Sequence, residues 1–196
     1  MNHLFDSCTI MHEIADIEEI ERVIDFCYKK KEKFSVTTEI IKELEPPASK
    51  SDDTEECWES ARTICSYMQL FVKSKKVALI DCWDKSDIEQ NIKQIRKRFY
   101  GWMENPRFCN ELIRTGKLTS EEYRSYNFRY KDIGECTLIA VALLDPMSYI
   151  IISEDAGRAY KFPNINIFDY YRKQGLTIMK YQNWKEIASF PVLACT

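Results

Sequence analysis

Between Asp132 and Tyr160 the chain reads DIGECTLIAVALLDPMSYIIISEDAGRAY, and no other stretch constrains the fold as much. Leu138, Ile139, Ala142 and Leu143 recur at helical spacing behind an acidic start, Asp132 and Glu135. Pro146 ends that helix, because proline biases the residue before it, Asp145, away from the α region. Tyr149-Ile150-Ile151-Ile152 follows without polar interruption, the pattern of a strand buried on both faces. Ser153-Glu154-Asp155 continues directly, and Ala156-Gly157 turns the chain. Acids therefore stand at the start of a helix and at the carboxyl end of the adjoining strand. In open α/β sheets that strand end is where ligands bind.

The rest of the chain keeps the same rhythm. His3-Leu4-Phe5 reads as a short strand running into Asp6. From Ile14 a helical face carries Ile17, Ile20, Val23, Ile24 and Cys27, and the cations of KKKEK (29–33) close it as the helix dipole favours. Residues 34–37 form a second strand. Thr38 is placed to cap a helix over 39–45, which Pro46-Pro47 stops. Residues 46–56 read as a loop, 54–73 as a helix beginning at the loop's end, 76–82 as a third strand and 86–102 as a helix broken by Asn105-Pro106. Residues 103–131 read as an insertion holding one or two short helices. A helix near 165–173, a C-cap at Gly175, a strand over 176–179 and a helical turn around 184–187 complete the pattern. Short strands alternating with helices predict an α/β fold, three-layer α/β/α with a short central parallel sheet, in a single domain over 1–196.

Charge narrows the function little: 28 basic against 31 acidic side chains leave a net of -3. No general attraction to polyanions follows, although a local basic patch can still hold phosphates. The eight cysteines include no C-x-x-C pair and the histidines are only His3 and His12, which disfavours a structural zinc site. Reduced thiols, no membrane span and no signal-peptide pattern together lead us to expect a cytoplasmic protein. Nucleotide-cradling glycine loops are absent, and the one pairing for thiol chemistry is His12 near Cys8.

Four acids stand at chemically useful places: Asp6 after the first strand, Glu43 on the helix after the second, Glu135 opening the later helix, and Asp155 after the fourth strand. Clustered carboxylates repel unless a hard divalent cation neutralises them, and Mg²⁺ or Mn²⁺ suits oxygen ligands. Each acid also has an ordinary explanation. Asp132 and Glu135 have capping-box spacing, Asp6 and Asp155 can cap turns, and Glu43 can be a solvated helix residue with Glu39 as its rival.

The order of these acids resembles the PIN domain, a family of metal-dependent nucleases. The likeness lies in Leu4-Phe5-Asp6, in Val36 to Leu44 where a strand end leads into the apolar helix that carries Glu43, in Gly134-Glu135 ahead of an alanine-containing helix, and in Ile150-Ile151-Ile152-Ser153-Glu154-Asp155 followed by Arg158. It implies that Asp6, Glu43, Glu135 and Asp155 are metal-binding catalytic acids, with Ser153 as a supporting hydroxyl. It further implies hydrolysis of RNA by in-line attack of water, leaving a 5′-phosphate and a 3′-hydroxyl. Small bacterial members are often the toxin of a toxin–antitoxin pair, so an inhibitory protein partner belongs to the same expectation. A member that binds RNA or a protein without cutting is the alternative.

For the RNA itself, Arg158 lies three residues beyond Asp155, and Arg129 and Lys131 belong to a run (124–131, RSYNFRYK) that interleaves cations with aromatics. The other explanation of that run is buried rings with a solvated cationic rim. Arg96-Lys97-Arg98 reads as an exposed helix face. Residues 107–131 leave two readings open, a substrate arm or a homodimer contact.

Overall fold

The computed structural model describes residues 1–14, 16–45 and 55–190; the side chains of 55–58 and the loop expected before them lie outside that description. The chain runs β1 (Asn2–Phe5), α1 (Ile17–Lys29), β2 (Lys33–Thr37), α2 (Thr38–Glu43), α3 (Glu55–Lys73) and β3 (Ala78–Ile80). It continues with α4 (Ser86–Tyr100), α5 (Pro106–Arg114), α6 (Ser120–Arg124), α7 (Ile133–Ala142) and β4 (Tyr149–Ile152). It closes with β5 (Arg158–Ala159), β6 (Phe162–Asn166), α8 (Ile167–Arg172), β7 (Thr177–Met179) and α9 (Tyr181–Ala188). Five strands make one parallel sheet in the order β3-β2-β1-β4-β7, flanked by helices and consistent with a three-layer α/β/α architecture. No helix among the described residues is long and apolar enough to cross a membrane.

The sheet centre is largely apolar, with β1 paired on both sides and His3, Ser35 and Thr37 as buried polar residues. Leu4, Phe5, Phe34, Val36, Ile151 and Ile152 are all buried, as strands covered on both faces require. β4 fits this only at its carboxyl half, since Tyr149 and Ile150 are half-buried. Beside β1, Trp184 of α9 packs edge-on to Phe5 and Phe26 and stacks on Tyr181, and its indole N–H donates to His3 Nδ1 at 3.1 Å. His3 Nε2 meets Glu32 at 2.7 Å. Burial lowers the pKa of His3, so the ring is held neutral between its two partners.

Several local expectations need correction. Thr37, one residue earlier than expected, caps α2: its hydroxyl accepts the Ile40 N–H. The segment between β1 and α1 holds a π-helical stretch, Thr9–Ile14. The short hairpin β5–β6 was not expected at all, because Phe162-Pro163-Asn164-Ile165-Asn166 lacks strand alternation and contains proline. The insertion holds α5, α6 and a 3₁₀ segment, Tyr126–Tyr130. It is fastened by Arg96, whose guanidinium donates to the carbonyls of Arg129 (2.6 Å) and Lys131 (2.5 Å) and lies over the Tyr100 ring. Arg96 is thus half-buried and structural, and only Lys97 and Arg98 of that trio are exposed.

Candidate acidic site

Parallel pairing brings the ends of β1 and β4 together, with Phe5 opposite Ile152, so Asp6 and Ser153 emerge side by side at the carboxyl edge. Asp6 is 2 % exposed. Its Oδ2 accepts the Ser153 hydroxyl at 2.7 Å and its Oδ1 accepts the Ser7 backbone N–H at 2.9 Å. The Ser153 hydroxyl oxygen in turn accepts the Asp155 N–H at 3.1 Å. Asp155 then accepts the N–H of Gly157, whose left-handed backbone (φ 66°) makes the turn, and a Cβ there would strike Phe168. Ser153 therefore ties the acid of one strand to the loop bearing the other.

Glu43 comes from α2, and a chain of buried hydroxyls places that helix against α7. The Thr37 and Thr137 hydroxyls lie 2.8 Å apart, and Thr137 donates to the Gly134 carbonyl at 2.7 Å. One Glu43 oxygen accepts the Gly134 N–H at 3.1 Å and the other accepts the Ser7 hydroxyl at 2.8 Å. Glu39 and Glu43 differ in packing. Glu39 turns away to Lys42 and to the indole N–H of Trp83, each at 2.7 Å, while Glu43 faces Asp6. The capping-box explanation of Asp132 and Glu135 also fails. Asp132 has a left-handed backbone (φ 56°) and makes no cap; its carboxylate accepts instead from the Tyr100 hydroxyl and the Tyr160 N–H.

The four acids share one field. Burial raises the pKa of Asp6, with Asp155 adding repulsion. Burial, then Asp6 and Asp132, hold Glu135 well above the usual carboxyl range. Glu43 is exposed as a residue, yet its carboxyl sits low between Ser7 and Gly134, and desolvation with Asp6 nearby pushes it up to about 7. Among the described residues no cation pairs with any of the four. Cys8, which the sequence singles out only for its nearness to His12, lies within reach of all four charges. Burial first and then those acids push its thiol up to about 12, so a thiolate nucleophile served by His12 is disfavoured at neutral pH. Ser7 was missed; its place directly after the strand-end acid was the available signal.

An all-oxygen donor set of repelling, unpaired carboxylates fits a hard divalent cation, and Asp6, Glu43, Glu135 and Asp155 are the residues to hold it. Their side chains are not gathered for it: among the described residues no group of three or more His, Cys, Asp or Glu forms a metal-holding arrangement. The Ser7 hydroxyl instead lies between Asp6 and Glu43.

The cations expected for RNA are dispersed. Arg158 is exposed on β5, near Asp155 in sequence. Arg129 is exposed, 3.5 Å from Glu104, and lines a cleft of about 440 Å³ with Trp83, Tyr100, Tyr130 and Ile133, next to Gly134. The Lys131 ammonium lies over Tyr160, 5.7 Å from the ring centre. Of the aromatics in that run Phe128 is core, but Tyr126 and Tyr130 are exposed.

No protein-family model matches the chain, and no curated protein or solved structure matches it significantly.

Two predictions arise from this geometry. A Cβ on Gly134 would lie 2.5 Å from both Glu43 carboxylate oxygens. Gly134→Ala is expected to leave thermal stability nearly unchanged, because a flexible carboxylate yields easily and alanine suits a helix. It should displace Glu43 and weaken any divalent-cation effect by on the order of 10–100-fold. Titrating the Mn²⁺-induced shift in Tm checks this; an unchanged midpoint would remove Glu43 from the site.

The second concerns pH. Carboxyls with raised folded pKa bind protons that the unfolded chain releases from about pH 4 upward. Stability should therefore fall as pH climbs through about 7, the value for Glu43. His3 acts oppositely: its pKa lies below 6.5 when folded, so stability is lost as pH falls below about 6.5. Tm followed in EDTA should decline on the alkaline side, and Glu43→Gln with Glu135→Gln should flatten that decline alone. An alkaline arm unaltered by the double variant would contradict the assignment.

Proposed function

We propose that the protein is a Mg²⁺/Mn²⁺-dependent endoribonuclease of the PIN type. The observation that carries this reading is the field shared by Asp6, Glu43, Glu135 and Asp155 around the end of β1, three of them with raised pKa and none paired with a cation among the described residues. A divalent cation bound there supplies activation of water and neutralisation of charge on the phosphodiester. The chain's own residues do the positioning. Ser153 orients Asp6 and the Asp155 loop together, and Ser7 and Gly134 orient Glu43. The cleft with Arg129, Tyr130 and Trp83 offers cations and exposed rings beside α7, suited to phosphates and unstacked bases.

A second reading, a protein of the same type that binds RNA without cutting, is favoured by the carboxylates not being gathered into a metal-holding group. One experiment separates the two. An end-labelled mixed RNA pool is incubated with the protein in Mn²⁺ and in EDTA. Cleavage lost in EDTA supports the nuclease; retention of RNA without cleavage supports the second reading.

A further inference from the structure

At the amino ends of β2 and β3, the opposite end of the strands from the acids, opens a cleft of about 870 Å³. The connections α1–β2 and α3–β3 form its two sides, and Lys29, Lys31, Lys33, Lys75 and Lys76 line it. All five are exposed, and among the described residues none forms an ion pair. Glu32 is the one acid in the lining, hydrogen-bonded to His3. Tyr28, 82 % exposed, adds a free aromatic face.

The two connections are built alike. The Lys31 and Glu32 N–H groups close back on the carbonyls of Tyr28 and Cys27; those of Lys75 and Lys76 close back on Val72 and Phe71. Each is a Schellman closure with a left-handed residue just past the helix, φ 59° in both cases. Glycine is the residue that adopts this conformation without strain. The same closure after α5 uses Gly116, and after α8 it uses Gly175, while Ser189 serves after α9. Lysine occupies both strained positions that open on the cleft. A cost borne twice at facing positions points to what those ammonium groups hold.

We propose that this cleft binds the phosphodiester backbone of single-stranded RNA, at a site separate from the acid cluster. Five ammonium groups against a single acid leave a cationic excess that phosphates neutralise, and their binding releases counterions. The exposed Tyr28 ring stacks on an unpaired base, which a duplex does not offer. The inference goes beyond the nuclease reading and stands whether or not the acids cut.

The test is fluorescence anisotropy of a labelled single-stranded oligoribonucleotide with the full chain, in EDTA, over a range of salt. Lys31→Gly with Lys75→Gly removes two charges while relieving the backbone, so Tm should stay level or rise as affinity falls. The slope of log affinity against log salt should shrink by about 0.7 per lysine, about 1.4 for the pair. Lys117→Gln with Lys173→Gln, matched in charge but outside the cleft, should bind as the unmodified chain does. Equal loss in both pairs, no loss in the glycine pair, or no RNA binding at low salt would overturn the proposal. So would tripolyphosphate binding without RNA binding, which would mark a site for a small phosphorylated ligand. Failure of the Mn²⁺ cleavage assay touches none of these readouts.

Discussion

Asp6→Asn is expected to lower RNA cleavage by on the order of 10²–10³-fold while making the metal-free protein more stable at alkaline pH. The two effects have one origin. Asp6 is 2 % exposed and has no cationic partner among the described residues, so ionising it costs folding free energy. Asparagine keeps the shape: its oxygen can accept the Ser7 N–H, and its amide can donate to the Ser153 hydroxyl oxygen. What it removes is the charge needed to hold a cation, and loss of one preorganised electrostatic group at a reacting centre typically has this size. Cleavage rates with Mn²⁺ and melting in EDTA near pH 8 are the paired measurements. An active Asp6→Asn protein would place the chemistry elsewhere. An inactive but less stable one would make Asp6 a structural residue.

Trp184→Ala should be the most damaging single change to the fold, costing about 3–5 kcal/mol as large aromatic truncations in cores do. Trp184 is 1 % exposed and joins β1, α1 and α9 through Phe5, Phe26 and Tyr181. For a chain of this size the loss corresponds to roughly 6–20 °C in Tm. Trp184→Phe separates packing from polarity. It retains a ring but leaves His3 Nδ1 without its donor, at a cost of about 1–3 kcal/mol. With Nδ1 free to take a proton, the pKa of His3 rises toward 6.5 and the acid-side loss of stability shrinks. Thermal melts across pH check both; a Phe variant as stable as the parent would make the His3 contact incidental.

The sheet strands were legible because each is a short β-branched or aromatic run bounded by polar turns, as Phe34–Thr37 and Tyr149–Ile152 are. Parallel pairing followed from the alternation of strands and helices. The placing of Asp6 and Asp155 at one edge followed too, since each directly succeeds a strand. What stayed illegible depended on contacts between distant segments. Glu39 and Glu43 stand four apart on one edge, and only the approach of Trp83 and Gly134 distinguishes them. Asp132 has the spacing of a helix cap, but Tyr100 and Tyr160 draw its carboxylate elsewhere. Arg96 looks like one of three surface cations, and only the carbonyls of Arg129 and Lys131 reveal a fastening.

The position of β1 at the centre of the sheet, between β2 and β4, has a consequence for the order of synthesis. Asp6 is made before its partner Ser153, which lies 147 positions later. Until that later strand leaves the ribosome, β1 has one bare edge and the acids have no second loop to meet. A chain cut short before β4 carries Asp6, Glu43 and Glu135 in its sequence but cannot assemble them with Asp155. It also presents an unpaired apolar strand edge, a template for pairing with other chains. Prematurely terminated copies should therefore be prone to aggregate.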